Sequence, residues 1–255
     1  MLKRDRHEAR GNLALKLRTS AVVIGVAFLI SGCVTSNSSS SSVQAQIAVA
    51  ESSLQSGDYE KGYRILNQVA ATNPGSSKTM LALGNAYFAD GAYLKARSFY
   101  QKALALGEKR KGTLGIARVQ IAERDFQGAN STLSPLLKRH STDYEALNMK
   151  GVIYDAQGQH DQAQAIYRQI LLQKPDDAKA MNNLALSLML SGQFEAAEVV
   201  ETELYHSNKD DPRVRQNLAL IMHLRGNEKQ ASALTEGYLT TSQKKHNFNS
   251  LSILK

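Results

Sequence analysis

Two residue types are scarce in this sequence. There is no tryptophan, and Cys33 is the only cysteine among 255 residues. A single cysteine excludes an intrachain disulfide, so its thiol is free, intermolecular or modified. The six histidines show no metal-ligand spacing, and the chain has no nucleophile elbow, phosphate loop or zinc-protease motif. We therefore predict no catalytic, cofactor or metal site, and a protein that is not an enzyme.

A strong charge of one sign is also lacking once the N-terminus is set aside. The whole chain has 31 basic and 23 acidic residues, a formal net charge of +8. Residues 1–32 hold six of the basic and two of the acidic residues, so the remainder carries 25 and 21, a net charge of +4. No block of Lys and Arg is interleaved with aromatic residues. This composition argues against nucleic acid as a partner.

Residues 1–32 have the pattern of an export signal. Six cations precede an apolar run at 21–30, which is too short to span a bilayer as a helix. The following residues, 30–33 (Ile-Ser-Gly-Cys), resemble a bacterial lipobox. That resemblance implies removal of 1–32 and attachment of diacylglycerol and an N-acyl chain to Cys33. An uncleaved anchor with an incidental thiol is the alternative, and the long basic segment favours it.

The segment after the signal predicts a tether. Residues 33–42 are rich in serine, a composition typical of flexible linkers. Two or more acyl chains on the cysteine would give stable anchoring. Val34 follows the cysteine, where Gram-negative lipoproteins retained at the inner membrane commonly have Asp. By that analogy we expect a lipid-anchored protein on the periplasmic face of the outer membrane.

A pattern of small and large residues repeats along the rest of the chain. Gly151 and Ala163 supply small residues for the close crossing of two amphipathic helices at 143–157 and 159–173, with a turn at Gly158. A single hairpin of this kind cannot bury its apolar stripe alone. Shifting the pattern by 33 or 34 residues gives six units that start near Val43, Ser77, Arg110, Tyr144, Ala178 and Pro212.

This period and pattern resemble the tetratricopeptide repeat over residues 43–239. The resemblance implies an all-α solenoid of about six helical hairpins, wound as a right-handed superhelix with a concave groove. The unit near Arg110 departs from the pattern, because Ala117 and Gln120 replace the usual glycine and aromatic residue. An irregular helical bundle with accidental spacing is the alternative.

Two sets of polar residues recur on the first helices, which line the groove in this family. Carboxamides can donate to and accept from an extended peptide, and the family often uses asparagines there. Recurring cations near helix N-termini oppose the helix dipole and suggest an acidic or C-terminal ligand. Solvated surface is the alternative for both sets. The carboxamides are Asn148, Asn182, Asn183, Gln216 and Asn217, and the cations are Lys78, Lys111, Lys179 and Arg213.

The last two units, at 182–188 and 213–220, resemble the C-terminal repeats of TadD-type lipoproteins of the tight-adherence (Flp) pilus apparatus. The resemblance implies a non-catalytic scaffold or pilotin-like factor for pilus or type II-like secretion assembly, with an outer-membrane secretin or other assembly components as partners. The alternative is an envelope lipoprotein that regulates a cell-wall enzyme or another complex. Residues 240–255 fall outside the repeats as a C-terminal tail.

Overall fold

The computed structural model describes residues 38–236. The predicted signal at 1–32, Cys33 and the tail at 240–255 lie outside the described residues. The chain divides into two units after Ser38, and the helical array belongs to the second. No helix among the described residues combines the length and the apolar character needed to cross a membrane.

Residues 38–236 fold into twelve α-helices and no strand. They are α1 Ser38–Gln55, α2 Tyr59–Thr72, α3 Ser77–Ala89, α4 Tyr93–Ala105, α5 Lys109–Ala122, α6 Phe126–Arg139, α7 Tyr144–Ala156, α8 His160–Gln173, α9 Ala178–Leu190, α10 Phe194–Ser207, α11 Pro212–Leu224 and α12 Glu228–Thr235. Consecutive pairs form six hairpins that pack in chain order. The predicted all-α solenoid is confirmed.

The predicted repeat starts agree closely with the first helices of the hairpins. Four of these helices begin at the predicted residue, and α5 begins one residue early at Lys109. The exception is α1, which begins at Ser38, inside the segment predicted as a tether. Val43 and Ile47 are buried in the core of the first hairpin, and the helix they anchor extends upstream into the serines.

Aspartates and glycines set the ends of the helices. Asp143 and Asp177 cap α7 and α9 by accepting the backbone N–H three residues later, at 3.2 and 3.0 Å. The turn glycines inside the hairpins, such as Gly158 at φ 74°, adopt the left-handed conformation. In the third hairpin this position is Arg124, at φ 63°. The unit that departs from the sequence pattern therefore keeps the same turn with a less favourable residue.

The close crossing within each hairpin depends on a matched pair of residues 16 apart. A Cβ on Gly84 would lie 2.6 Å from the Tyr100 ring, and one on Gly151 would lie 2.5 Å from the Tyr167 ring. Both tyrosines are completely buried. Where the second residue is smaller than tyrosine, the first is alanine, because a smaller partner leaves room for one methyl group. These pairs are Ala50–Leu66, Ala117–Leu133, Ala185–Glu201 and Ala219–Thr235.

We predict that Gly151→Ala destabilises the array through this contact. Helix propensity alone would stabilise the variant by about 0.5–1 kcal/mol, whereas overpacking against Tyr167 costs about 1–3 kcal/mol. The expected net loss is about 1–2 kcal/mol in urea unfolding. In a Tyr167→Leu background, which reproduces the pair of the third hairpin, Gly151→Ala should no longer destabilise. An equal cost in both backgrounds would contradict the pairing.

Candidate functional site

A two-armed ion pair joins the third and fourth hairpins. Nε and Nη2 of Arg110 on α5 lie 2.6 and 2.8 Å from the two carboxylate oxygens of Asp143, the N-cap of α7. Burial opposes ionisation of Asp143, but hydrogen bonds from Arg110 and from the Ala146 N–H outweigh it and lower its pKa. Glu145 adds a contact to Arg110 at 3.3 Å. The N-terminus of α7 is therefore held against α5 by charge as well as by packing.

Beside this ion pair lies a cavity of about 1430 Å³, which we call the α5–α7 cavity. It is bounded by α5, the second half of α6, α7 and the start of α9. Its apolar side is formed by Leu104, Ile116, Ile121, Pro135, Leu136, Met149 and Val152. This volume exceeds the range of about 300–1,000 Å³ typical of small-molecule clefts. The cavity can accommodate several residues of a polypeptide.

The charged side chains of the α5–α7 cavity are unequal in number. Three carboxylates are present, and each has a local role: Asp143 and Glu145 contact arginines, and Asp177 caps α9. Six cations line the same space, namely Lys109, Arg110, Arg118, Arg139, Lys174 and Lys179. The cavity therefore combines an apolar side with an excess of positive charge.

The predicted asparagines are brought together into one hydrogen-bonded chain. Asn217 Nδ2 donates to Asn182 Oδ1 at 2.8 Å, and Asn183 Nδ2 donates to Asn148 Oδ1 at 3.0 Å. A longer contact of 3.4 Å joins Asn182 to Asn183. The bonded partners are 35 residues apart, one position out of the 34-residue register. The chain thus crosses α11, α9 and α7 and ends at Asn148, which lines the α5–α7 cavity.

The remaining predicted site residues do not form one group. Gln216 is exposed beside the asparagine chain, and Lys78 and Lys111 are exposed on α3 and α5, outside the lining of the cavity. Arg213 pairs with Asp211, the N-cap of its own helix, at 2.8 Å. Of the four predicted cations, Lys179 alone lines the α5–α7 cavity. The four predicted cations therefore lie in separate local environments and do not form one binding surface.

Next to the asparagine chain, α10 buries a carboxyl group. Glu201 is fully buried at the position that Tyr167 occupies one repeat earlier, and neither of its carboxyl oxygens has a hydrogen-bond partner among the described residues. Burial raises the pKa of Glu201 to about 8; the Asn217 side chain opposes the shift, and the charge of Asp211 adds to it. At neutral pH the group is therefore mostly a neutral acid.

His160, at the start of α8, packs against Asp155. Its Nδ1 lies 2.9 Å from Asp155 Oδ1, while Ser187 Oγ and Tyr167 OH donate to the same carboxylate at 2.6 and 3.0 Å. Burial, followed by the negative charge of Asp155, raises the pKa of Tyr167. Across residues 38–236, no three His, Cys, Asp or Glu side chains are grouped as a metal site requires.

Sequence inspection missed the residues that shape the α5–α7 cavity. Arg139 and Lys174 lie at the ends of second helices, and Arg110, Asp143 and Glu145 belong to neighbouring repeats. A signal was present, since Arg110 and Asp143 are 33 residues apart and of opposite charge. Glu201 could also have been noticed, because it replaces the large apolar or aromatic residue expected there.

Comparison with known proteins gives one family and one fold. A family model described as tetratricopeptide repeat matches residues 53–110 and 120–186. No curated protein sequence matches the chain.

Solved structures of low sequence identity share the fold. PilW, described as a widely conserved type IV pilus biogenesis factor, is 16% identical with a TM-score of 0.61, over 82% of this chain and 98% of that chain. A tetratricopeptide protein of Thermus thermophilus is 16% identical with a TM-score of 0.60, over 71% and 99% of the two chains. One from Parabacteroides merdae is 18% identical with a TM-score of 0.54, over 77% and 78%.

Glu201 should make the stability of the array depend on pH. Its ordinary pKa of 4.5 applies to the unfolded chain and about 8 to the folded one, so the folded state holds the extra proton between these values. Stability should fall as pH rises from about 5 to about 8, by up to about 5 kcal/mol, and then level off. Urea unfolding at pH 5 and pH 8 measures this change.

The variant Glu201→Gln should lose most of that pH dependence and exceed the wild type in stability at pH 8. Glu203→Gln is the matched control, because Glu203 lies two residues away on the same helix and is exposed. A wild-type stability that does not change between pH 5 and pH 8 would contradict the buried neutral acid.

Proposed function

Because this chain is a tetratricopeptide repeat protein, we propose that it is a non-catalytic scaffold lipoprotein of the outer membrane. In this proposal Cys33 is the lipid attachment site, and the face formed by the first helices binds a segment of a partner protein. The partner is an outer-membrane secretin or another component of Flp pilus or type II-like secretion assembly. The protein acts there as a pilotin-like factor.

The binding function is carried by the α5–α7 cavity and the asparagine chain beside it. Tetratricopeptide repeats typically form scaffolds for protein–protein interaction and not catalytic centres, and the stacked first helices supply the surface. The cavity is large enough for a polypeptide segment, and Asn148 links it to the carboxamides on α9 and α11. One N–H of Asn183 is used within the chain, so its other N–H can serve a bound backbone.

The anchor is supported by the sequence at 21–33. A basic flank, a short apolar run and two small residues before the only cysteine coincide at one site. An exported protein attached through acyl chains needs no membrane-spanning helix, because two or three chains hold it stably. The helical array would then lie on the periplasmic side, where it can meet the periplasmic part of a secretin.

The pilus assignment is supported by two likenesses. The units at 182–188 and 213–220 resemble those of TadD-type lipoproteins, and PilW, a type IV pilus biogenesis factor by its description, has the same fold over nearly its whole length. A role in regulating a cell-wall enzyme is the competing function. The two differ in the partner that the array contacts, which cross-linking in native envelopes identifies.

We predict that Cys33→Ala abolishes lipid labelling and mislocalises the partner. Wild-type cells grown with a radiolabelled fatty acid should give a labelled protein in the outer-membrane fraction, and the variant should be unlabelled. A secretin that cross-links to the wild-type protein should accumulate outside the outer membrane in the variant strain. Capture of a peptidoglycan synthase or hydrolase in place of a secretin would favour the cell-wall function.

The asparagine chain is tested by Asn183→Ala/Asn217→Ala in the same cross-linking experiment. Both substitutions remove donors of the chain, so we expect lower capture of the partner with the anchor intact. Gln216→Ala is the control, because Gln216 is an exposed carboxamide next to Asn217 and outside the hydrogen-bonded chain. Capture that survives the double substitution would place the contact elsewhere on the array.

A further inference from the structure

The α5–α7 cavity has four cations whose charge is uncompensated. Arg110 and Arg118 contact Asp143 and Glu145, which leaves Lys109, Arg139, Lys174 and Lys179 without an ion pair to any residue between 38 and 236. The third carboxylate of the lining, Asp177, accepts the Ala180 N–H at 3.0 Å as a helix cap. An occupant of this cavity therefore meets more positive charge than the protein neutralises itself.

These cations differ from the series seen in the sequence. Arg139 lies in the last turn of α6, and Lys174 is the C-cap of α8, where its Nζ sits 4.5 Å from the centre of the Tyr144 ring. Both residues lie at the ends of the second helices of their hairpins. They are therefore absent from the cation series predicted from the sequence, which follows the first helices. All four uncompensated cations are exposed, so we call them the rim of the cavity. The apolar lining residues come from α4, α5, α6 and α7 and are mostly half-buried or buried, and we call them its wall.

The chemical class of the ligand follows from combining the cationic rim with the apolar wall. A small anion would neutralise the rim but leave the apolar wall uncovered, and the volume of about 1430 Å³ is larger than such an ion requires. The phosphate backbone of a nucleic acid would also pair with the cations but would leave the apolar wall uncovered. A polypeptide that alternates acidic and apolar side chains satisfies both the rim and the wall.

We propose that the α5–α7 cavity binds an acidic, apolar-containing segment of a partner protein, and that Arg139 and Lys174 select for its carboxylates. This deepens the scaffold function proposed above and rests on it. Lys109 on α5 and Lys179 on α9 add two further positive charges to the same lining. The excess charge sets specificity and association rate, while the apolar wall supplies affinity.

The test uses the full chain and three fluorescent nine-residue peptides in anisotropy titrations. One peptide alternates Glu and Leu, the second Gln and Leu, and the third Lys and Leu. We expect the Glu peptide to bind at least about tenfold more tightly than the Gln peptide, and the Lys peptide not to bind. The affinity of the Glu peptide should fall as the salt concentration rises.

The variant Arg139→Glu/Lys174→Glu should weaken binding of the Glu peptide by about tenfold or more. Lys78→Glu/Lys111→Glu is the matched control: it changes the net charge equally at two exposed cations outside the cavity lining and should change affinity by less than about twofold. Arg139→Gln/Lys174→Gln, which only neutralises the two charges, provides a second variant should the reversal unfold the protein. Circular dichroism melting verifies the fold of each.

Equal affinity for the Glu and Gln peptides would overturn the proposal. An equal loss of Glu-peptide affinity in the two charge-reversal variants would also overturn it, because that result indicates attraction to the net charge of the protein and not to the cavity. Absence of binding by all three peptides would also overturn it. None of these outcomes affects capture of a secretin in native envelopes, so failure of the acidic-segment proposal is distinguishable from failure of the scaffold function.

Discussion

The close contact between the two helices of each hairpin is the constraint on which the rest of the array depends. Gly84 and Gly151 lack a Cβ because a buried tyrosine ring from the second helix occupies that space. Interiors are packed at near-crystalline density, so the first residue of each pair can grow only where the second shrinks. The alanines paired with Leu66, Leu133, Glu201 and Thr235 follow the same rule. The first residue of a pair is therefore glycine where the second is tyrosine and alanine where the second is smaller.

The same kind of contact also sets the spacing between hairpins, because a Cβ on Gly115 of α5 would lie 2.4 Å from the Tyr100 ring of α4. With the spacing fixed, residues 33 to 35 apart come within hydrogen-bonding distance on the face formed by α5, α7, α9 and α11. Arg110 and Asp143 meet in this way, and so do the asparagines. Contacts of this kind link each repeat to the next, which is how a solenoid transmits stability along its length. The face to which we assign binding is thus a product of the packing behind it.

Glu201 shows what happens when a polar group enters the packed layer. The tyrosine at the equivalent position, Tyr167, donates its hydroxyl to Asp155 and is satisfied. Among the described residues no group meets the geometry of a hydrogen bond to the Glu201 carboxyl oxygens. Burial therefore outweighs the opposing effect of the nearby Asn217 side chain and keeps the carboxyl group mostly neutral at neutral pH. A carboxyl group buried without a partner costs stability, and here it stands next to the surface that we assign to binding.

The sequence by itself determined the period and, to within one residue, the start of the first helix in five of the six hairpins. The export and lipidation signals at 1–33 stay predictions from local patterns. The sequence also identified the asparagines, but it did not predict that the bonded partners are 35 residues apart, one more than the 34-residue repeat. Only the tertiary structure decided that Arg139 and Lys174 share a cavity with Arg110 and Glu145, and that Glu201 lacks a partner. The physical reason is that periodicity constrains equivalent positions, whereas cavities and ion pairs arise between non-equivalent positions, whose distances depend on how successive hairpins stack.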